Sequence, residues 1–205
     1  MRKNLPIIVI LVILGITTAS AQYGIQLSYI APDGTSAYIF KPAVGIELKY
    51  TTGAIDTNSR VRFDFSIGYY KLSPTQDSFS NYQVVNAKLY PGYDIIKNYS
   101  VIPIEAGVEY HPFAGKLTPF VGINLDFSVI NYAYHSYVES QYDNNTNETD
   151  LQFSAIPKIG LSYQVGHSWL ISGGIGYSLP IAGSANVNSQ SYWKSYLCLT
   201  YYLDK

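Results

Sequence analysis

Few residues of this chain could carry covalent chemistry. The sequence holds three histidines and one cysteine. His135 stands beside Ser136, with Glu139 following, and Asp77 stands beside Ser78. A serine nucleophile needs a histidine within hydrogen-bond reach and a third group to orient it. Adjacent residues of an extended segment point to opposite faces, so His135 and Ser136 would diverge. His111, His167 and Cys198 are scattered singly, at no spacing that would ligate a metal. No phosphate loop or dinucleotide fingerprint occurs. The chain reads as a non-enzyme with no catalytic residue, no cofactor and no metal.

A second set of residues is more telling. Glu47, Lys49, Arg60, Arg62, Asp64, Glu105, Glu109, Asp126, Lys158 and Lys194 all fall on the polar side of alternating segments, five basic and five acidic. With the face of each strand set by its apolar residues, chance gives that outcome about once in a thousand, because a one-residue step flips the face. Charges confined to one face, in matched numbers, suit a narrow interior plugged by ion pairs rather than a reaction site. His111 extends this set as an ion-pair partner at one rim, and Cys198 as a small filler.

The elements that must hold these residues are strands. The chain has 205 residues, 47% hydrophobic, 15% aromatic and only 13% charged, with 21 tyrosines. Low charge and high hydrophobicity exclude disorder. A formal net charge of −1 without a basic cluster excludes a nucleic-acid binder. One cysteine excludes a disulfide scaffold. Residues 1–21 carry Arg2 and Lys3, a short apolar run from Leu5 to Ile16, and Ala19-x-Ala21. That is the pattern of a cleaved secretory signal peptide, leaving 22–205 as one domain. Beyond it, apolar residues recur at every second position in eight segments. They begin at Tyr23, Val44, Val61, Ile102, Leu117, Leu151, Trp169 and Trp193.

A soluble barrel puts such an apolar face inside, whereas a transmembrane barrel turns it to lipid. Three observations favour the second. Connections alternate between long (72–98, 131–150) and tight (112–116, 166–168). Aromatic residues band at both ends of the apolar faces: Tyr23, Tyr50, Tyr110, Tyr163, Trp169 and Tyr201 at one, Tyr29, Tyr69 and Trp193 at the other. The polar face is rich in Gly and Ser, which fits a narrow lumen better than a solvated exterior. The fold expected is all-β: an eight-stranded antiparallel up-and-down transmembrane β-barrel.

The stretch from Ile102 to Phe127, IPIEAGVEYHPFAGKLTPFVGINLDF, resembles the central hairpin of small outer-membrane β-barrel domain proteins, OmpX/OmpA-like in architecture, with PorT-like barrels among them. The resemblance implies an outer-membrane location, contact with outer-membrane lipid and lipopolysaccharide, and delivery by the barrel-insertion machinery. The chain departs from that pattern at its end. Tyr201 and Leu203 occupy the terminal aromatic places, Asp204-Lys205 trails, and Cys198 stands where glycine is usual. Some barrels of this size modify lipids with a Ser, a His and an acid near the outer rim, but the His135-Ser136 adjacency does not match a His-x-Ser motif.

Eight strands enclose a space that side chains nearly fill. The expected function is therefore a closed, ion-paired, monomeric barrel with a structural or surface-interaction role through tyrosine-rich outer loops toward an unidentified ligand. A narrow ion or small-solute channel is the alternative, and a lipid-modifying enzyme a more distant one. The tyrosines of 79–99 and 132–150 are read as extending the hairpins and packing on one another, ahead of forming a binding surface.

Overall fold

The computed structural model describes residues 21–52, 60–85, 87–138, 142–183 and 190–202. Residues 1–20 of the expected signal segment 1–21, with Glu139, Leu203, Asp204 and Lys205, lie outside the described residues. The strands are β1 (Ala21–Pro32), β2 (Ala43–Thr52), β3 (Val61–Lys71), β4 (Phe79–Val85), β5 (Lys88–Tyr110), β6 (Leu117–Val138), β7 (Tyr142–Val165), β8 (Trp169–Gly183) and β9 (Tyr192–Tyr202). One short helix, α1 (Thr35–Ile39), lies between β1 and β2.

All pairings are antiparallel. β1 closes on β9 in register from Gln22↔Tyr202 to Pro32↔Tyr192. β3 bypasses β4 and pairs with β5 from Val61↔Tyr110 to Lys71↔Ser100. Eight strands thus make a closed barrel, and β4 stands outside it against the upper part of β5. Closure leaves no open edge in the barrel wall, as a lipid-spanning sheet requires.

The period-two pattern fixes the faces. Ile25 and Leu27 are each 54% exposed, whereas Gln26 between them is 4% exposed. The same alternation runs through β2, β3 and β9. Large apolar side chains face outward all round, which in water would be unfavourable over the whole belt and in lipid is the stable arrangement. A soluble barrel with an apolar cavity is thereby excluded. Register sets the turn-end aromatics side by side: Tyr50↔Tyr23, Tyr23↔Tyr201, then Tyr201↔Trp169. Ring centroids are 5.4 Å apart for Tyr23–Tyr50 and 4.8 Å for Trp169–Tyr201. At the loop end Tyr177 and Trp193 pair at 4.8 Å.

The structure departs from the sequence reading at the loop end. Residues expected as loops at 72–98 and 131–150 are largely strand. β5, β6 and β7 run on for 23, 22 and 24 residues. Tyrosines and polar residues occupy both faces there, so no apolar–polar alternation in the sequence marks the extension, but the hydrogen-bonded ladder continues through residues of good strand preference. A bulge between Lys97 and Ser100 interrupts it. Asn98 takes φ 54° there, a left-handed conformation that asparagine tolerates, and Tyr99 turns into the barrel mouth, fully buried. At the turn end, Gly166 (φ 65°) closes the tight β7–β8 turn.

Candidate functional site

The inward side chains form two stacked layers. The turn-side layer is ionic. Lys49 Nζ lies 2.9 Å from Glu109 Oε1 and 3.5 Å from Asp64 Oδ2. Lys158 Nζ lies 2.8 Å and 3.0 Å from the same two atoms. Two lysines and two carboxylates therefore form a closed four-membered group from β2, β7, β5 and β3. His111 Nε2 sits 3.3 Å from Glu109 Oε2 at its edge. Higher up, Lys194 Nζ lies 2.8 Å from Glu47 Oε1, 3.0 Å from Glu47 Oε2 and 2.5 Å from Glu105 Oε1. Ser28 and Ser66 donate to Glu47 at 2.6 and 3.2 Å, and the Tyr70 hydroxyl donates to it as well.

Asn124 joins the two groups. Its Nδ2 donates to Glu105 Oε2 at 2.8 Å and to Asp64 Oδ2 at 3.4 Å. Gly107, its partner across the β5–β6 ladder, makes room for it. A Cβ at residue 107 would come within 2.0 Å of Asn124 Oδ1. The network ties strands that are not neighbours in the wall, so it braces the barrel across its bore. A cavity of about 10 Å³ remains among these side chains, room for one water molecule.

Nine of the ten charges expected in the lumen are buried there: Glu47, Lys49, Arg62, Asp64, Glu105, Glu109, Asp126, Lys158 and Lys194. Arg60 is the exception. It precedes β3 at the turn-end mouth and is exposed, because a long guanidinium side chain at a rim reaches water without strain. Of these ten, the buried set is therefore four basic against five acidic groups, not five against five, and Asp150 is a further buried carboxylate. Arg62 faces Glu109 across the β3–β5 ladder. Asp126 receives a hydrogen bond from Ser128 Oγ at 2.8 Å. Cys198 is buried with its Sγ 3.5 Å from Thr200 Oγ1.

The upper layer is apolar. Ile30, Phe40, Ala43, Tyr70, Leu72, Tyr99, Val101, Ile130 and Tyr132 form one buried cluster across the loop-end mouth. Phe40, from the β1–β2 connection, is its cork: 1% exposed, with its ring 4.1 Å from that of Tyr99. Backbone bonds latch the connection to its neighbours. Lys41 N donates to Ser73 O at 2.8 Å, Thr75 N to Ile39 O at 2.8 Å, and Asp33 N to Ser191 O at 2.9 Å. Gln152 clamps Gln190 through both its backbone N and O, and the Gln190 amide donates to the Tyr99 hydroxyl. Burial, with Tyr132 and Asp150 close by, raises the Tyr99 phenol above its ordinary range. Burial and a hydrogen bond to Asp94 push Tyr134 up to about 12. Both remain protonated at neutral pH.

This layer was missed in the sequence, although a signal existed. Ile30, Tyr70, Val101 and Ile130 continue the inward parity of Ser28, Gly68, Pro103 and Ser128, so the polar face turns apolar one step above its last polar residue. The histidine and serine candidates do not converge. Ser136 points inward and is buried, while His135 takes the outward face of β6. Asp77 and Ser78 are exposed before β4, and His167 lies in the β7–β8 turn. Among the described residues, no three His, Cys, Asp or Glu side chains are grouped to hold a metal ion.

No family model matches the chain, and no curated protein matches it. Solved structures do. Neisserial surface protein A has 11% identity and a TM-score of 0.50, over 89% of this chain and 97% of that one. Ail, the attachment invasion locus protein of Yersinia pestis, solved with the heparin analogue sucrose octasulfate, has 13% identity and a TM-score of 0.48, over 90% and 97%. The N-terminal β-barrel domain of Pseudomonas aeruginosa OprF has 14% identity and a TM-score of 0.42, over 90% and 99%. At such identities the likeness is one of fold: that of small outer-membrane β-barrels.

Proposed function

We propose that this chain is a sealed, monomeric outer-membrane barrel that works through what it displays above the membrane. The observation that carries the reading is the double seal, an ionic layer under an apolar one. A bore blocked twice contributes rigidity, not passage. What remains is the sheet β4–β5–β6–β7, which continues beyond the barrel rim. Its outward face presents Tyr82 and Val84, both 71% exposed, beside Leu89 and Tyr93. Tyr93 stacks on Tyr137 at 4.9 Å, so part of the tyrosine content stiffens the sheet and part stays available for contact. Tyrosine suits such a role because it offers large contact area at small entropic cost.

The proposal includes a cleaved signal at 1–21, delivery by the barrel-insertion machinery, and a lipid environment containing lipopolysaccharide. Two experiments test it. Refolded protein in planar bilayers is expected to show no unit conductance; steady single-channel steps would favour the narrow-channel reading instead. Excising 134–146 and closing the Ala133↔Asn147 pair with Asn-Gly is expected to leave outer-membrane recovery and heat-modifiable migration intact while reducing cell attachment. Unchanged attachment with a leaky envelope would move the role to envelope integrity. Lipid A of unaltered mass in Ser78→Ala and Ser136→Ala cells is the outcome expected if the chain has no enzymatic role.

A further inference from the structure

We propose that β4 is a docking edge for β4 of a second copy of this chain, held in a facing membrane. The inference rests on the reading that the barrel works through what it displays. Above the rim the wall is no longer closed. Among the described residues, the sheet β4–β5–β6–β7 has an open edge on each side there. From Tyr142 to Leu151, β7 pairs with β6 alone, and its pairing with β8 begins only at Gln152. β4 pairs with β5 alone. An edge strand presents unpaired N–H and C=O groups to any extended chain, and proteins blunt such edges with charge, proline or a bulge. The β7 edge is blunted: Asp143, Glu148 and Asp150 stand along it. The β4 edge is not. Phe79–Val85 reads FSNYQVV, without charge or proline. Its register runs unbroken from Phe79↔Asp94 to Val85↔Lys88, so no bulge turns it away.

The strand complements itself. Laid antiparallel to a copy about Tyr82, it sets Tyr82 opposite Tyr82, Ser80 opposite Val84 and Asn81 opposite Gln83. Ser80, Tyr82 and Val84 share one face of β4 and are exposed, so like faces meet in the joined sheet. No charge is brought against another, and a Tyr–Tyr cross-strand pair is favourable. A charged partner segment would find no counter-charge in β4. Geometry then fixes where the copy sits. Antiparallel copies within one sheet are related by a two-fold axis perpendicular to that sheet. The sheet prolongs the barrel wall, so this axis lies in the plane of the membrane. Rotation about it turns the barrel upside down, which places the copy in an opposing membrane. Copies in one membrane are instead related by an axis along the membrane normal. With strands tilted about 35–45°, that axis crosses the two β4 strands at twice the tilt and no ladder forms. The chain is therefore a monomer within its own membrane and pairs between membranes.

The test is clumping, read by turbidity, of phosphatidylcholine vesicles that carry the refolded barrel with its loop end outward. Vesicles with the unaltered chain are expected to clump. Tyr82→Lys sets two lysines opposite each other across the two-fold axis, and Tyr82→Glu sets two carboxylates there, so each variant alone should lose clumping. Mixing Tyr82→Lys vesicles with Tyr82→Glu vesicles should restore it, because every mixed pair then matches opposite charges. Tyr82 is exposed, so both variants should keep heat-modifiable migration. Dispersed vesicles of the unaltered chain overturn the proposal, and so does a Lys–Glu mixture that stays dispersed. If Tyr82→Lys cells then also lose attachment, the edge belongs to a foreign strand and the display reading stands. Dispersed vesicles together with attachment unchanged by excision of 134–146 would remove the display reading as well.

Discussion

Lys194 and Lys49 are both buried lysines in ion pairs, yet they should not be equal. Lys194 is the single cation between Glu47 and Glu105. Replacing it with Met leaves those carboxylates buried without a counter-charge, a loss of the order of 3–5 kcal/mol. Lys49 shares Glu109 and Asp64 with Lys158, which stays in place when Lys49 is removed. Lys49→Met should cost only about 1–2 kcal/mol. Urea unfolding of refolded protein, followed by mobility on unboiled gels, ranks the two. Equal costs would mean that the two groups act as one network through Asn124. Gly107→Ala addresses that link, because its new methyl displaces the Asn124 amide and overpacking of this kind costs about 1–3 kcal/mol.

At the scale of the element, the bulge in β5 matters most. It places two residues, Asn98 and Tyr99, opposite Tyr132, and so aims the Tyr99 ring at Phe40 while the strand continues upward. Tyr99→Ala would remove the ring between Phe40 and Tyr132, which stacks on it at 5.6 Å. The loss should be about 3–5 kcal/mol, by analogy with buried aromatic truncation, and it should be local. The expected result is faster protease cleavage of the 33–42 connection with the barrel still heat-modifiable. Loss of the barrel itself would show that the mouth and wall fold as one unit. Nothing in the sequence announces this bulge. Lys97, Asn98 and Tyr99 read as an ordinary polar stretch, and only the ladder register reveals the inserted residue. The strand faces, by contrast, were legible to the last buried glutamine. In β1, Gln22 and Gln26 against Tyr23, Ile25 and Leu27 decide the matter, because a half-lipid, half-lumen strand has no freedom to misplace them. Ion-pair partners were not legible. Lys49 meets Glu109 and Lys158 meets Asp64 across long stretches of chain, and only the barrel's closure and stagger bring them together.

For the whole molecule, the two layers act as barriers in series. A conducting path needs every layer open, and the larger barrier dominates. Phe40→Ala opens the outer one. It leaves Lys194, Lys158 and Lys49 bound between facing carboxylates, and the remaining free space there admits about one water. An ion entering from the mouth would have to break a buried pair to advance, which costs several kcal/mol at each level. Phe40→Ala should therefore stay non-conducting in planar bilayers, although its mouth becomes accessible to small aqueous probes. Combining it with Lys194→Met removes the cation between Glu47 and Glu105. That double variant should pass cations in preference to anions, since the carboxylates then dominate the upper bore. Conductance from Phe40→Ala alone would place the whole barrier in the apolar cork, and the ionic layer would then be a brace for the wall and no seal at all.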